Sequence, residues 1–374
     1  MKVKKIRLPF EIKKSILAFG SQTKNTLCLA QGHFAYLSPV HPDLSMLEDF
    51  LAFVKDAKYF LKRNPKIIAT DLHPDYQSSL FAQDLLQTSH FKLHTIQHHH
   101  AHIASCMMEH GLANQKVIGV SFDGTGLGLR GQLWGGEFLL CDYRDFERRA
   151  HLKEVPLLGG EKAIQEPWRL AAAWLYQLYE DRFLNLKLDF VKGLNKNHWR
   201  LLKQLYGSST HAPLASSAGR LFDAAASLIL NKYKVRFEAE LAIELERLAA
   251  AYRSQAQAYP FDLNKGKDEY MLDPLPMFRH IVLDLKHKEP KEKMAYRFHL
   301  TVASMMKSVC LSLRRIHRLN KVVLSGGVFQ NRLLLEMSHN LLRKAGFKIF
   351  THRQLQANDA CLSLGQVAIA NWRP

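Results

Sequence analysis

Apolar and polar positions along the 374 residues follow two rhythms, and each predicts a different element. Short apolar runs closed by small polar residues occur in SILAFGSQTKNTLCLAQGHFAYLS from Ser15, KIIATDLHPDY from Lys66 and KVVLSGGVFQN from Lys321. They read as buried strands that end in loops. Apolar residues at helical spacing fill RLAAAWLYQLY and AELAIELERLAAAY, and a longer helical stretch runs from Lys291 to Leu319. No apolar run approaches the roughly 18 residues of a membrane span. The N-terminal MKVKKIRLPFEIKK is basic and lacks the apolar segment of a signal peptide, so residues 1–12 read as a tail or linker.

The strand pattern occurs twice. In the first copy, SILAFG opens a series of strand, small polar loop, strand, Gly turn and strand. About a hundred residues later VIGVSFDGTGLGLRGQLWGGEFLLCDY has the same order of parts. KIIATD has its counterpart in KVVLSG, and HFKLHTIQHHHAHIAS has its counterpart in GFKIFTHRQLQANDACLSLGQ, with F-K-x-x-T shared. A duplicated mixed α/β unit with three linked strands and then helix–strand units describes a ribonuclease H-like lobe. The predicted fold is two such lobes, residues 13–115 and 116–374, facing each other across a cleft. A helical insertion at about 161–253 in the second lobe reads as a packing subdomain. Ligands of open α/β sheets bind where strand ends and helix starts converge.

Composition narrows the class. Hydrophobic residues make up 47% of the chain, enough for a sizeable core and against disorder. The five cysteines (Cys28, Cys106, Cys141, Cys310, Cys361) are scattered and never form Cys-x-x-Cys, which suits a reducing cytoplasm and not a disulfide framework. The net charge of +18 suits an anionic partner such as nucleic acid, an acidic protein or a phosphorylated ligand, although the basic residues are dispersed.

The candidate chemistry begins at His98-His99-His100-Ala101-His102. With 19 histidines, chance alone gives on the order of one His-x-x-x-His pair, so spacing by itself decides little. On a helix, however, His98 and His102 share a face. The repeat sets their loop opposite the one bearing Asp359, and Asp123 ends a strand that can point into the same space. Two imidazoles and one or two carboxylates suit iron(II), manganese or zinc. His99 and His100 point elsewhere on a helix, and His94 and His110 read as ordinary polar residues. Gly-rich Asp123-Gly124-Thr125-Gly126-Leu127-Gly128, linking two strands, can form an anion-holding concavity. Its mirror, Ser21-Gln22-Thr23-Lys24-Asn25-Thr26, offers a lysine to phosphate. Gly326 and Gly327 allow a planar ring close to the backbone, and Asn331 can read an adenine edge or hold the loop. Gly219 lies at a helix start capped by Ser216 or Ser217, where Asp223 can accept from ribose hydroxyls or simply favour the helix dipole.

QHHHAHIAS, FDGTGLG, WGGEFLLCDY, GGEKAIQEPWR, SSAGRLFDA, LSGGVFQN and AND…SLGQ together resemble the C-terminal domain of the HypF carbamoyltransferases, which mature nickel–iron hydrogenases. The likeness spans almost the whole chain. That domain is similar in fold to tRNA threonylcarbamoyladenosine transferases and antibiotic O-carbamoyltransferases, in the actin-like, sugar-kinase-like ATPase superfamily. The resemblance implies metal ligands at His98, His102, Asp123 and Asp359, with iron or zinc as the ion and manganese or magnesium as further candidates. It implies contacts to ATP, AMP or carbamoyl-adenylate from the loops around Lys24, Asn25, Gly124, Thr125, Gly126, Gly219, Asp223, Gly326, Gly327 and Asn331. It also implies a HypE-like acceptor protein whose C-terminal cysteine takes the carbamoyl group, and a cytoplasmic location with no membrane partner. The chain starts in what resembles the linker after a YrdC-like domain, so a separate YrdC-like protein or domain is expected to make the carbamoyl-adenylate.

Two segments depart from the family pattern. Asn358-Asp359-Ala360-Cys361 stands where members often read Asn-Asp-Gly-Gly, and Phe237-Glu238-Ala239-Glu240 stands where they often read Tyr-Glu-Gly-Gln. Lost glycines restrict the backbone, and Glu240 would repel a phosphate if it pointed inward. Transfer to tRNA or a small alcohol is the alternative nearest in chemistry. A nucleotide-binding scaffold without catalysis is the alternative from another class. A sugar kinase is disfavoured because the histidine site has no role in it.

Overall fold

A computed structural model describes residues 3–88 and 91–373. The chain opens with β1 (Lys4–Ala18), which pairs antiparallel with β2 (Cys28–Leu37) from Lys4↔Leu37 to Ala18↔Cys28. Its inner end, Ile16–Ala18, also pairs in parallel with β3 (Ile67–Asp71), and β3 with β4 (Lys92–Ile96). The resulting order is β2-β1-β3-β4.

Two sequence expectations need correction here. Residues 4–12 are strand and not tail: Ile6, Leu8 and Ile12 are buried, while Lys4, Lys5 and Arg7 are exposed. The alternation was present, but a strand is stabilised only by the partner it meets, and that partner lies some 30 residues on. Met1 and Lys2 of the expected tail lie outside the described residues. Gly32 does not turn the chain either. At φ +55, opposite Ile12, it absorbs an irregularity within one continuous strand, so the expected second and third strands are a single strand, Cys28–Leu37.

The second sheet repeats the order. β5 (Val117–Leu127) pairs antiparallel with β6 (Leu133–Cys141), which pairs with β7 (Phe146–Leu152). On its other side β5 pairs in parallel with β8 (Lys321–Ser325), and β8 with β9 (Lys348–Thr351). β1 thus corresponds to β5, β2 to β6, β3 to β8 and β4 to β9. This is the two-lobed, ribonuclease H-like arrangement that the duplicated pattern predicts. A hairpin, Asp262–Lys265 with Tyr270–Asp273, extends the edge beyond β7.

Helices α1 (Leu47–Leu61) and α2 (Gln77–Thr88) cover one face of the first sheet through Phe53, Phe60 and Ala82. Between the sheets lie α3 (His98–Glu109) and, at the far end of the chain, α5 (Leu362–Trp372), packed against each other. Nearly every residue of both is buried, the four histidines of α3 included. The helices cross the division between lobes: α3 packs on β5 and β8, whereas α5 packs on β1, β2 and β3. The segment from Glu161 to Arg253 is mainly helical, including Trp168–Tyr179 and α4 (Ala218–Leu230), and joins the core of the second sheet. The long helix runs Lys291–His317. Among the described residues no helix is long and apolar enough to cross a membrane.

Candidate metal and nucleotide site

The site forms where α3 begins. Gln97 caps the helix by accepting the His100 N–H at 2.9 Å, so the helix starts at His98 and places His98 and His102 one turn apart, ring centroids 5.0 Å from each other. Both are fully buried. Their Nε2 atoms face Asp123 Oδ2, at 3.3 Å from His98 and 2.9 Å from His102, and Asp359 Oδ1, at 3.7 Å from each. Asp123 sits late in β5, at an irregularity between Phe122 and Gly126, and Asp359 opens the short turn before α5. The four ligand atoms lie within 4.8 Å of one another.

Each carboxylate is fixed from behind. Asp123 Oδ1 accepts the N–H of Gly124 at 2.8 Å and of Gly327 at 3.0 Å, and Ser21 Oγ donates to Asp359 Oδ2 at 3.1 Å. Asp71, at the end of β3, accepts from His98 Nδ1 at 2.8 Å and leaves Nε2 free to face the cluster. Burial works against a charged His98, yet the carboxylates of Asp71 and Asp359 and the hydrogen bonds to Asp123 and Asp71 outweigh it and push its pKa up to about 10. Burial would likewise raise Asp123, but its hydrogen bonds to His102 and His98 hold it well below the usual carboxylate range. The pocket therefore favours positive charge at these nitrogens. Two imidazole nitrogens and two carboxylate oxygens at this spacing fit a divalent ion bound at about 2.1 Å.

The other histidines have separate work. His99 Nδ1 accepts from Gln97 Nε2 at 3.0 Å, and burial holds it well below its usual pKa. His100 Nε2 donates to the Asp142 carbonyl at 2.6 Å, and burial brings its pKa down to about 4. His94 is outside the cluster, and His110 donates to the Thr351 carbonyl at 2.7 Å.

The anion loops converge beside the quartet, though not every predicted residue is free to bind. Gly124 and Thr125 lie in β5 itself, and the turn comes later, between Leu127 and Leu133. A Cβ on Gly126 would sit 2.7 Å from His99 Cε1, so that glycine makes room for the histidines. Gly219, in the first turn of α4, packs on Gly124, whose Cα would be 2.9 Å from a Cβ there. Ser217 caps α4 and also donates to the Asp123 and Gly124 carbonyls. Gly326 presses on Phe122 at φ +108, and Gly327 gives its N–H to Asp123. Two asparagines are internally engaged. Asn25 Nδ2 donates to the Phe19 and Ser21 carbonyls at 2.6 Å each, and Asn331 caps the helix after it and lies 2.9 Å from His299. Asp223 is buried 2.8 Å from Arg220 Nε, and burial lifts its carboxyl more than Arg220 lowers it.

Sequence reasoning missed Arg220, Asp71 and Tyr76. Arg220 is 2% exposed, its Nη1 has no partner among the described residues, and it approaches Gly124. Glu238 lies between it and Lys24, at 4.0 and 3.9 Å. A charged residue inside an otherwise apolar helix start was the available signal. Asp71 could have been found as a carboxylate ending a buried parallel strand. Tyr76 stacks flat on His73, and burial together with Asp71, Asp359 and Asp123 holds its hydroxyl well above the usual pKa.

Residues 119–366 match the family described as carbamoyltransferase, Kae1-like domain, second subdomain, and residues 11–109 match the HypF Kae1-like domain. The chain belongs to the HypF family. It is 35% identical over 97% of its length to carbamoyltransferase HypF of Synechocystis, of which it covers 48%. It is 33% identical over 96% of its length to a HypF homolog of Cupriavidus necator, of which it covers 92%. A full-length HypF structure in the phosphate- and nucleotide-bound form superposes with a TM-score of 0.90 and 36% identity, over 98% of this chain and 47% of that one. The chain thus spans about half the length of several curated HypF relatives it matches.

Against the HypF pattern, the two departures resolve differently. Glu240 does not face the cleft: its carboxylate accepts from Arg236, at 2.7 Å from the backbone N–H and 2.9 Å from Nε. Ala239 keeps the left-handed backbone that a glycine would favour, φ +63, just before the helix Glu240–Ala251. That conformation costs an L-residue roughly 1–2 kcal/mol, partly offset by glycine's greater unfolded-state entropy. Ala239→Gly is therefore expected to stabilise the protein by about 0.5–1 kcal/mol, read from the urea midpoint; a destabilised variant would contradict this account of the turn. Ala360 and Cys361 adopt a short helical turn with no positive φ, and Cys361 Sγ packs 3.4 Å from His102 Nδ1.

Proposed function

We propose that this chain transfers a carbamoyl group from carbamoyl-adenylate to the C-terminal cysteine thiol of a HypE-like protein, in the cytoplasm, as a step of hydrogenase maturation. The observation that carries the reading is the quartet His98, His102, Asp123 and Asp359 in one pocket, flanked by loops from both lobes that can hold phosphate. Membership of the HypF family and similarity to a nucleotide- and phosphate-bound HypF support it.

The acceptor sulfur attacks the carbamoyl carbon, the bond from that carbon to the adenylate phosphate oxygen breaks, and AMP leaves as the thiol proton is lost. A divalent ion held by the quartet, with iron or zinc the best match to its donors, would supply charge that stabilises the anion building on the carbamoyl and phosphate oxygens. The protein supplies the rest. Lys24 from one lobe and Arg220 from the other carry positive charge toward the leaving phosphate, which replaces Glu238 as their common partner. The start of α4 presents backbone N–H groups to the same anion. Asp223 and the Gly326–Gly327 backbone are the candidates to meet ribose and base. No side chain of the quartet needs to act as a nucleophile.

Supplied with carbamoyl-adenylate, or with a separate YrdC-like enzyme, ATP and carbamoyl phosphate, residues 1–374 are expected to carbamoylate a HypE-like thiol, and Asp359→Ala to abolish transfer. With ATP, carbamoyl phosphate and metal alone, pyrophosphate release is expected to stay at background. Rapid release would mean that these residues carry their own activation chemistry. Transfer to tRNA in place of the thiol, with affinity falling linearly in log salt, would move the acceptor to nucleic acid.

A further inference from the structure

The two histidines of the quartet are supported unequally. The residue that ends β3 is Asp71 and its counterpart at the end of β8 is Ser325, and both approach an Nδ1 atom: Asp71 that of His98 at 2.8 Å, Ser325 that of His102 at 3.3 Å. A histidine that gives Nε2 to a metal almost always donates its Nδ1 proton to a carboxylate, carbonyl or water, which fixes tautomer and ring orientation. In the first lobe a carboxylate takes that proton directly. In the second, a neutral hydroxyl stands in the same position.

A carboxylate is nevertheless present, two residues further out. Ser325 Oγ lies 2.8 Å from His352 Nε2, and His352 Nδ1 lies 2.6 Å from Glu109 Oε1. Ser325 and the Glu109 side chain are fully buried, and the His352 side chain is 3% exposed. An ionised carboxylate only accepts, so His352 carries a proton on Nδ1. Glu109 also accepts backbone N–H groups from Arg353 at 2.9 Å and Gln354 at 2.7 Å, which fixes the loop that carries the imidazole. Ser325 Oγ has two lone pairs, so it can accept from His102 Nδ1 while bonded to His352.

We propose that Ser325, His352 and Glu109 form a hydrogen-bonded relay that holds the Nδ1 proton and the orientation of His102, and are positioning residues for the ion that His98, His102, Asp123 and Asp359 would bind. The inference rests on the metal reading of that quartet. Cys361 Sγ, 3.4 Å from the same nitrogen, is the competing acceptor; against the effect of burial, His352 and His102 both bond it and bring its thiol down to about 6, so the Cys361 variant decides between the two.

The test uses Ser325→Ala, His352→Asn, the double variant and Cys361→Gly. Asparagine keeps a donor toward Glu109, so the loop stays held while the link to Ser325 is lost. Cobalt(II) affinity, from chelator competition and the visible absorption of the bound ion, is expected to fall roughly 10–100-fold in each relay single variant. The double variant should be no worse than the weaker single, because one chain is cut either way. Cys361→Gly should stay within about twofold of wild type. In the metal-free protein, proton NMR of the His102 ring should show a slowly exchanging Nδ1–H that is lost in Ser325→Ala. A wild type that binds no cobalt yet shows this protected proton would sink the metal reading and leave the relay standing. Near-wild-type affinity in Ser325→Ala, additive losses in the double variant, or a larger loss in Cys361→Gly would overturn the relay.

Discussion

Replacing either His98 or His102 by alanine is expected to lower divalent-ion affinity by more than the roughly 100-fold that disturbing an outer partner costs, while His99→Ala leaves stoichiometric binding in place. The difference follows from one turn of helix. His98 and His102 bring Nε2 to within 3.7 Å of both Asp123 and Asp359, whereas His99, between them in sequence, turns toward Gln97. Removing an inner imidazole leaves two carboxylates facing each other with less positive charge between them, so the loss exceeds that of one bond. Metal content of the purified variants by elemental analysis, with cobalt titration to give affinity, checks it. Equal metal in all three variants would remove the quartet as the binding site.

Gly365→Ala is expected to destabilise the protein by about 3 kcal/mol, at the upper end of what overpacking a core costs, and to weaken ion binding at the same time. Gly365 lies on α5 where it crosses α3. A methyl group there would fall inside the Ala101 carbonyl oxygen, 2.7 Å from its carbon and 3.0 Å from Cα. These are backbone atoms of a buried helix and cannot swing aside as a side-chain tip could. The helices must separate, and each carries half of the site: His98 and His102 flank Ala101, and Asp359 leads into α5. A urea midpoint close to wild type would mean that the crossing is looser than described.

The sequence made the larger plan legible because a duplicated pattern states its own geometry. Once β4–α3 and β9–α5 are read as copies, His98 and Asp359 must face each other, and the four ligand atoms do meet within 4.8 Å. What escaped were interactions whose partner is distant and whose residue type is ordinary. Ile6 and Leu8 alternate with lysine and arginine in a way that a basic tail also would, and only β2 makes them a strand. Asp71, Ser325, His352 and Glu109 are single polar residues in four separate elements, joined only when both lobes are assembled. Asn25 and Asn331 could not be settled from sequence for the opposite reason: a loop asparagine suits a ligand and suits its own backbone, and here Asn25 Nδ2 bonds its own turn and Asn331 Oδ1 caps a helix.

The crossing of helices between lobes matters for a chain that emerges from the ribosome in order. The first sheet and the helices over its outer face are encoded within residues 4–96, so that face can be covered as soon as those residues are free. Its inner face is covered by α5, whose residues are translated near the end of these 374. Until then Ile16, Ala18, Cys28 and Ala30 lack the part of their cover that α5 supplies. The first half must therefore wait, partly open, for the second, and Asp359 arrives in the same stretch of chain. Ligand site and lobe closure are completed in one late event, which prevents a half-made lobe from presenting the full set of ion-binding groups.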